Sequence, residues 1–171
     1  MITLLISPED FNDYADICTN VDPDRITPYV NIAQRKHLQP VLSKKLFDDF
    51  VAKYASSIVV SGTALSPSYA GLRKAIIPFL VYASYAEYLP YSNNVATPFG
   101  NVIKKSDYSE PTPADQLALM ARNALNNAIV FKSDLIDYLD ANFATDPLYK
   151  DQSKVSEETR VSSSTIMGIR K

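Results

Sequence analysis

The sequence predicts a mainly α protein, a small bundle of four to five helices with a projecting β-hairpin loop and an extended C-terminal tail. Two long stretches, from about Pro67 to Leu89 and from about Pro113 to Phe143, place most of the apolar residues at helical spacing. Between them, Pro90 to Pro113 turns to Pro, Asn, Thr, Tyr and Gly over a span too long for an ordinary connection. A chain of 171 residues with 46% hydrophobic content fits one helical domain over 1–149, with the hairpin loop at about 90–112, and an arm over 150–171.

Ser7, Pro8, Glu9 and Asp10 read as an N-cap, a first-turn proline and first-turn acids, predicting a short helix to about Ile17. Thr27 and Pro28 repeat the cap-then-proline signal, and Val30, Ala33, Arg35, His37 and Leu38 continue a brief helix that Pro40 interrupts or bends. A third helix starts near Val41, with Leu42, Leu46, Phe50, Val51 and Tyr54 on its packed side, and ends before Ser56 and Ser57. Ile58 to Val60 lies in a stretch that reads as a loop or brief strand.

Ser66 caps and Pro67 opens the fourth helix, whose stripe of Leu72, Ala75, Ile76, Phe79, Leu80, Ala83 and Ala86 is flanked by Ile77, Val81, Tyr82, Tyr85 and Tyr88. A helix apolar on nearly all sides must be covered on nearly all sides, so part of it is expected to face another subunit. Pro78 removes one of its backbone hydrogen bonds and should bend it. Val95 to Thr97 and Asn101 to Lys105 flank Pro98, Phe99 and Gly100 as a small hairpin, with Gly100 at the turn position. From Pro113 the longest helix places Leu117, Met120, Ala121, Ala124, Leu125, Ala128, Ile129, Leu135, Ile136, Leu139 and Phe143 on its stripe, broken only at Lys132. After Pro147 the periodicity stops, and Asp151 to Lys171 is rich in Ser, Thr and charge, a composition that is disordered when alone in solution.

The net charge of −2, an acidic body with a mildly basic tail, gives no general pull toward nucleic acid or anionic lipid. The longest apolar run, Ala75 to Ala86, is interrupted and falls short of the roughly 20 residues of a bilayer span, so no membrane partner is expected. Met1 to Ser7 lacks the basic n-region of a signal peptide, and the single Cys18 makes no internal disulfide, which points to folding inside a cell.

With one His, one Cys, four Gly and no Trp, the chain is poor in catalytic equipment, and no catalytic residue, metal or cofactor is expected. His37 reads as a solvated or interface histidine, and Cys18 as inert packing. Asp134, Asp137 and Asp140 share a solvated helix face, because one helix alone cannot surround a cation. Residues 28–54, with Arg35, Lys36, Lys44, Lys45 and Lys53, loosely match a helix-turn-helix, but Asp48 and Asp49 would repel phosphate from the second helix. Lys104 and Lys105 read as ordinary surface.

The order of signals resembles the small helical head-tail connector, or adaptor, proteins of tailed bacteriophages, especially those infecting Bacteroidetes, including the crAss-like group. The residues that carry the resemblance are Ile26 to Gln34, Leu38-Gln39-Pro40-Val41-Leu42 with Leu46-Phe47, and Tyr88-Leu89-Pro90. Further on come Thr97 to Val102, Leu135 to Asn142 and Pro147-Leu148-Tyr149, so the likeness covers roughly residues 3 to 149. Such relatives often have Gly in the short stretch where this chain has Ser43. The Ser-rich C-terminus has no counterpart among them.

The resemblance implies a virion protein of the head-tail junction, made in the host cytoplasm. It implies a ring of identical subunits, twelve in number, beneath the portal, with DNA passing through the lumen without sequence-specific binding. Partners would be the chain itself, the portal protein and a next ring or tail component. On this reading Phe79, Tyr82, Tyr85 and Tyr88 pack subunits, Phe99 and Val102 make the hairpin contact, and Ile166, Met167 and Ile169 anchor the arm. The alternative is a DNA-binding packaging or regulatory protein that uses residues 28–54.

Overall fold

The computed structural model describes residues 3–7, 9–14, 23–59, 64–97, 100–103 and 111–150, with backbone alone at 23, 59, 95–97, 100–103 and 150. Its elements are α1 (Asp10–Tyr14), α2 (Pro23–Ala33), a π-helical turn (Gln34–Leu38), α3 (Gln39–Leu42), α4 (Lys44–Val59) and α5 (Pro67–Tyr88). A 3₁₀ turn (Leu89–Tyr91), β1 (Asn94–Thr97), β2 (Gly100–Ile103), α6 (Ala114–Phe143) and α7 (Pro147–Lys150) complete them. The chain is mainly helical. Cys18, Phe99, Lys104, Lys105, Ile166, Met167, Ile169 and the whole arm beyond Lys150 lie outside the described residues.

The first helix is described from Asp10 to Tyr14, its predicted end near Ile17 lies outside the described residues, and the cap works in reverse. Instead of Ser7 accepting from the helix, Asp10 Oδ2 accepts from both the Ser7 backbone N–H at 2.7 Å and the Ser7 hydroxyl at 3.1 Å. Before it, the segment around Leu5 is stapled to the π turn by buried Gln34. The Leu5 N–H donates to Gln34 Oε1 at 2.7 Å and Gln34 Nε2 donates to the Thr3 carbonyl at 3.2 Å, so the amide supplies what a neighbouring strand would.

The prolines at 28 and 40 do not sit where their helix-start and helix-stop signals put them. Helix α2 starts at Pro23 and carries Pro28 inside. Pro40 follows a π turn in which the Gln39 N–H bonds the Gln34 carbonyl five residues back, and the chain stays helical to Leu42. A proline ring collides with the carbonyl four residues before it. Widening the preceding turn is the local adjustment that relieves such a clash, and π turns are known places where helices bend.

The break comes instead at Ser43, at φ 71° and ψ 153°, in a region that almost only glycine visits. Helix α4 then starts at Lys44 and runs past Ser56 and Ser57, whose hydroxyls bond back to the carbonyls of Ala52 and Tyr54 at 2.9 and 2.7 Å. Ile58 and Val59 are therefore helical, not strand or loop.

Helix α5 is the centre of the fold. Ser66 does not cap it through its side chain; the Ser66 carbonyl accepts from the Ala70 N–H at 2.8 Å, with Pro67 in the first turn. Leu72, Ile76, Leu80, Val81, Ala83 and Ser84 are fully enclosed, and the helix packs chiefly on α6 and α2, with α1 on its flank. Burying each large apolar side chain contributes about 1.5–3 kcal/mol. Most of the apolar surface of this helix is covered within a single copy, with Ala75, Tyr82 and Tyr85 left partly buried.

β1 and β2 pair antiparallel, with Val95 opposite Val102 and Thr97 opposite Gly100. Gly100 thus belongs to the pairing, not to the turn. Among the described residues no helix is long and apolar enough to cross a membrane.

Candidate functional site

Helix α6 holds the main anomaly in the burial pattern. Its C-terminal half behaves as its periodicity predicts, with Leu135, Leu139 and Phe143 buried against α5. Over its first two thirds only part of the predicted stripe is covered. There the buried residues are Leu117, Ala124 and Ala128, while Leu119, Met120, Leu125, Ile129 and Val130 are exposed, with Leu119, Ile129 and Val130 at 59, 58 and 62%.

At about 100° per residue, Leu125 and Ile129 lie on one line beside the buried stripe, and Leu119 and Val130, three turns apart, lie on another across the helix. Small alanines let α6 approach its own core closely, and the large aliphatic side chains face solvent. Exposed apolar residues scattered singly are ordinary. Leu125, Ile129, Leu119 and Val130 fall within about 140° of one side of the helix, an apolar surface of the kind that marks an interaction site, while Met120 lies on the other side of the buried stripe.

Met120, Leu125 and Ile129 were expected on the buried stripe, so their exposure is a correction. The signal was present in the sequence: Leu119 and Val130 fall outside the 3, 4 stripe, so α6 has more apolar surface than one stripe accounts for.

The aromatic residues predicted to pack subunits are placed differently. Phe79 and Tyr88 are only 3 and 6% exposed inside this chain, which corrects their assignment as contact residues. Tyr82 and Tyr85 are half-buried against the core. Tyr82 stacks on Phe131 of α6, with ring centres 5.5 Å apart and planes 10° off parallel, and its hydroxyl donates to the Tyr14 carbonyl. Val102 lies in β2 opposite Val95, with its backbone alone described.

His37 sits on the π turn and meets Glu87 of α5, its Nε2 2.7 Å from Glu87 Oε1, with Lys36 Nζ at 2.7 Å from the same oxygen. Burial alone would raise the Glu87 carboxyl, but hydrogen bonds from Lys36 and His37 outweigh it and hold the group below its ordinary range. The set joins α5 to the π turn as a clasp.

On α4, Lys53 Nζ contacts Asp49 Oδ2 at 2.7 Å and lies 4.3 Å from the centre of the Tyr69 ring, whose hydroxyl donates to the same carboxylate. Burial again pushes Asp49 up and is outweighed by the Lys53 and Tyr69 hydrogen bonds, leaving it low. Lys36 and Lys53, two of the basic residues of the 28–54 segment, are thus engaged within the chain. Of the three aspartates near the end of α6, Asp140 accepts from the Tyr149 hydroxyl at 2.8 Å. Among the described residues no group of three or more His, Cys, Asp or Glu side chains is placed to hold a metal ion.

No curated protein and no solved structure matches this chain. The profile of a family of unknown function, DUF6712, matches residues 38–159, from the end of the π turn through α4, α5, β1, β2, α6 and α7. Because that match spans well over half of the sequence, the chain belongs to the DUF6712 family.

Proposed function

We propose that this chain is a structural, non-enzymatic assembly protein: a head-tail connector subunit that forms a ring beneath a phage portal. The observation that carries the reading is the inverted burial of α6, with Ala124 and Ala128 inside and Leu125, Ile129 and Val130 outside. Such a face gains about 25 cal/mol for each Å² of apolar surface covered. One heterologous contact repeated head to tail closes into a ring when its rotation permits.

Subunit packing on this reading moves from α5 to α6, with half-buried Tyr82 and Tyr85 at its edge. The segment from β1 to β2 serves as a projecting hairpin, and the arm beyond Lys150 reaches a neighbour, the portal or the next ring. A resemblance to tailed-phage connectors in the order of turn and packing signals supports the same assignment, with twelve subunits around a DNA channel.

Native mass spectrometry of the purified chain, alone and with the portal, tests this. The expected result is a ring-sized species, formed at least with the portal, that is lost in a Leu125→Glu, Ile129→Glu double variant which remains folded. A chain that stays monomeric under both conditions, or a double variant that assembles as well as the parent, would overturn the reading.

A further inference from the structure

A second surface lies away from the exposed face of α6, where α2, the end of α5 and the start of β1 meet. Tyr88 forms its buried floor. Tyr29 meets Tyr88 edge-on, with ring centres 5.5 Å apart at 71°, and Tyr91 stacks on the other side of Tyr29 at 5.7 Å and 26°. The three rings bound an open cleft of about 340 Å³ that also includes Asp24, Arg25 and Asn94. Arg25 fixes its geometry: its Nη2 donates to the carbonyls of Ser92 at 3.2 Å and Asn94 at 2.8 Å, and its guanidinium lies 5.9 Å from the Tyr88 ring centre.

This is a rigid aromatic wall edged by hydrogen-bond donors. Tyr91 is 54% exposed, so a ring face is open to a ligand. The Tyr29 hydroxyl, like any phenol, is protonated and able to donate at neutral pH, and burial, then the neighbouring Tyr91 and Tyr88, push it further up. The Asn94 amide adds a further donor at the rim. A ligand suited to this wall has flat apolar faces and carbonyl acceptors with few N–H groups of its own.

Proline-containing chain in the polyproline II conformation has that chemistry. Its rings pack on aromatic faces, its carbonyls are unpaired, and its preformed backbone loses little entropy on docking. A nucleic-acid base could also stack on Tyr91, but its phosphates would approach Asp24 on a chain of net charge −2. We infer that the Tyr29, Tyr88 and Tyr91 cleft docks a proline-containing, extended segment of a partner protein. The inference is independent of ring formation, since the cleft is complete in one copy.

Titration of the full chain with a capped hexaproline peptide, followed by NMR, tests the inference, with hexaglycine and hexathymidylate as comparisons. Saturable shifts centred on Tyr29, Tyr88 and Tyr91 with hexaproline alone are the expected result. Tyr91→Ala should weaken that binding at least about tenfold, equivalent to about 1.4 kcal/mol, while Tyr91→Phe keeps most of it. Because Tyr91 is exposed, neither variant should lose its fold. Absence of shifts at about 5 mM hexaproline, weaker than any useful docking affinity, would overturn the inference. So would unchanged binding by Tyr91→Ala, or hexathymidylate as the ligand that fills the cleft.

Discussion

The hydroxyl of Ser43 donates to the carbonyl of Leu148 at 2.7 Å, tying the α3–α4 corner to α7 across 105 positions of sequence. The same oxygen accepts from the Leu46 N–H at 3.2 Å, which makes Ser43 the N-cap of α4. Both bonds require a side chain at a backbone position, φ 71°, that favours having none. Strain at such a position costs about 1–3 kcal/mol.

Ser43→Ala keeps the strain and loses both bonds, leaving the Leu148 carbonyl without this partner. Losing a cap costs about 0.5–2 kcal/mol, and losing a part-buried hydrogen bond about 0.5–1.5 kcal/mol. Ser43→Gly loses the same bonds but relaxes the backbone, so it should be the more stable of the two variants by about 1–3 kcal/mol. Urea unfolding of the parent and both variants gives the order, and an alanine variant as stable as the glycine one would remove strain from the account.

Gly71 on α5 leaves room for the Tyr138 side chain of α6. A Cβ there would stand 2.1 Å from Tyr138 Oη and 2.8 Å from its Cζ, while that hydroxyl donates to the Ser68 carbonyl at 2.9 Å. Gly71→Ala should therefore destabilise the parent by about 1 kcal/mol, the worth of a displaced hydrogen bond and its ring contacts, despite the better helix propensity of alanine. In a Tyr138→Ala background the same change should stabilise by about 0.5–1 kcal/mol. Additive effects in this double-mutant cycle would contradict the contact.

Glu87 and Asp49 both titrate below their ordinary values in the folded chain. A depressed carboxyl contributes stability above its unfolded pKa and loses it as the pH falls through the lower folded value. The acid limb of stability should thus steepen below about pH 4.5, and Glu87→Gln with Asp49→Asn should flatten it. The gap between parent and double variant, measured as urea midpoints, should close on acidification. A gap independent of pH would show that the two clasps are not electrostatic.

At the alkaline end, burial and then the hydrogen bond to Asp140 push the Tyr149 phenol up to about 12. A phenol raised above its unfolded value near 10 contributes stability below that value and loses it as the pH rises toward the folded one. Absorbance titration should show Tyr149 among the late-ionising tyrosines, with Tyr29 and Tyr69, and Asp140→Asn should bring one of them to lower pH. Late phenols that all ignore the substitution would assign the Tyr149 shift to burial alone.

Ser84 is fully buried on α5, and its hydroxyl finds no partner among the described residues. Ser84→Ala removes an unsatisfied group with little loss of volume and should raise stability by about 1 kcal/mol. Thermal unfolding reads this directly, and a lower melting temperature would mean that the hydroxyl has a partner.

The helical class and the positions of α5 and α6 were legible in the sequence because hydrophobic periodicity is local and survives any arrangement of neighbours. Pro28 and Pro40 misled, since a proline marks a missing donor and not the element's end, and a π turn absorbs the second of them. Ser43 was flagged only as standing where relatives often have Gly, which says nothing of its bond to Leu148.

Periodicity by itself determined that α5 and α6 are amphipathic or apolar helices. It could not say which apolar residues are covered, because that depends on the distance at which a neighbour packs. Tertiary structure decided it: α6, α2 and α1 cover most of α5 and leave Tyr82 and Tyr85 half-buried, while α6 packs inward through Ala124 and Ala128 and leaves Leu125, Ile129 and Val130 exposed.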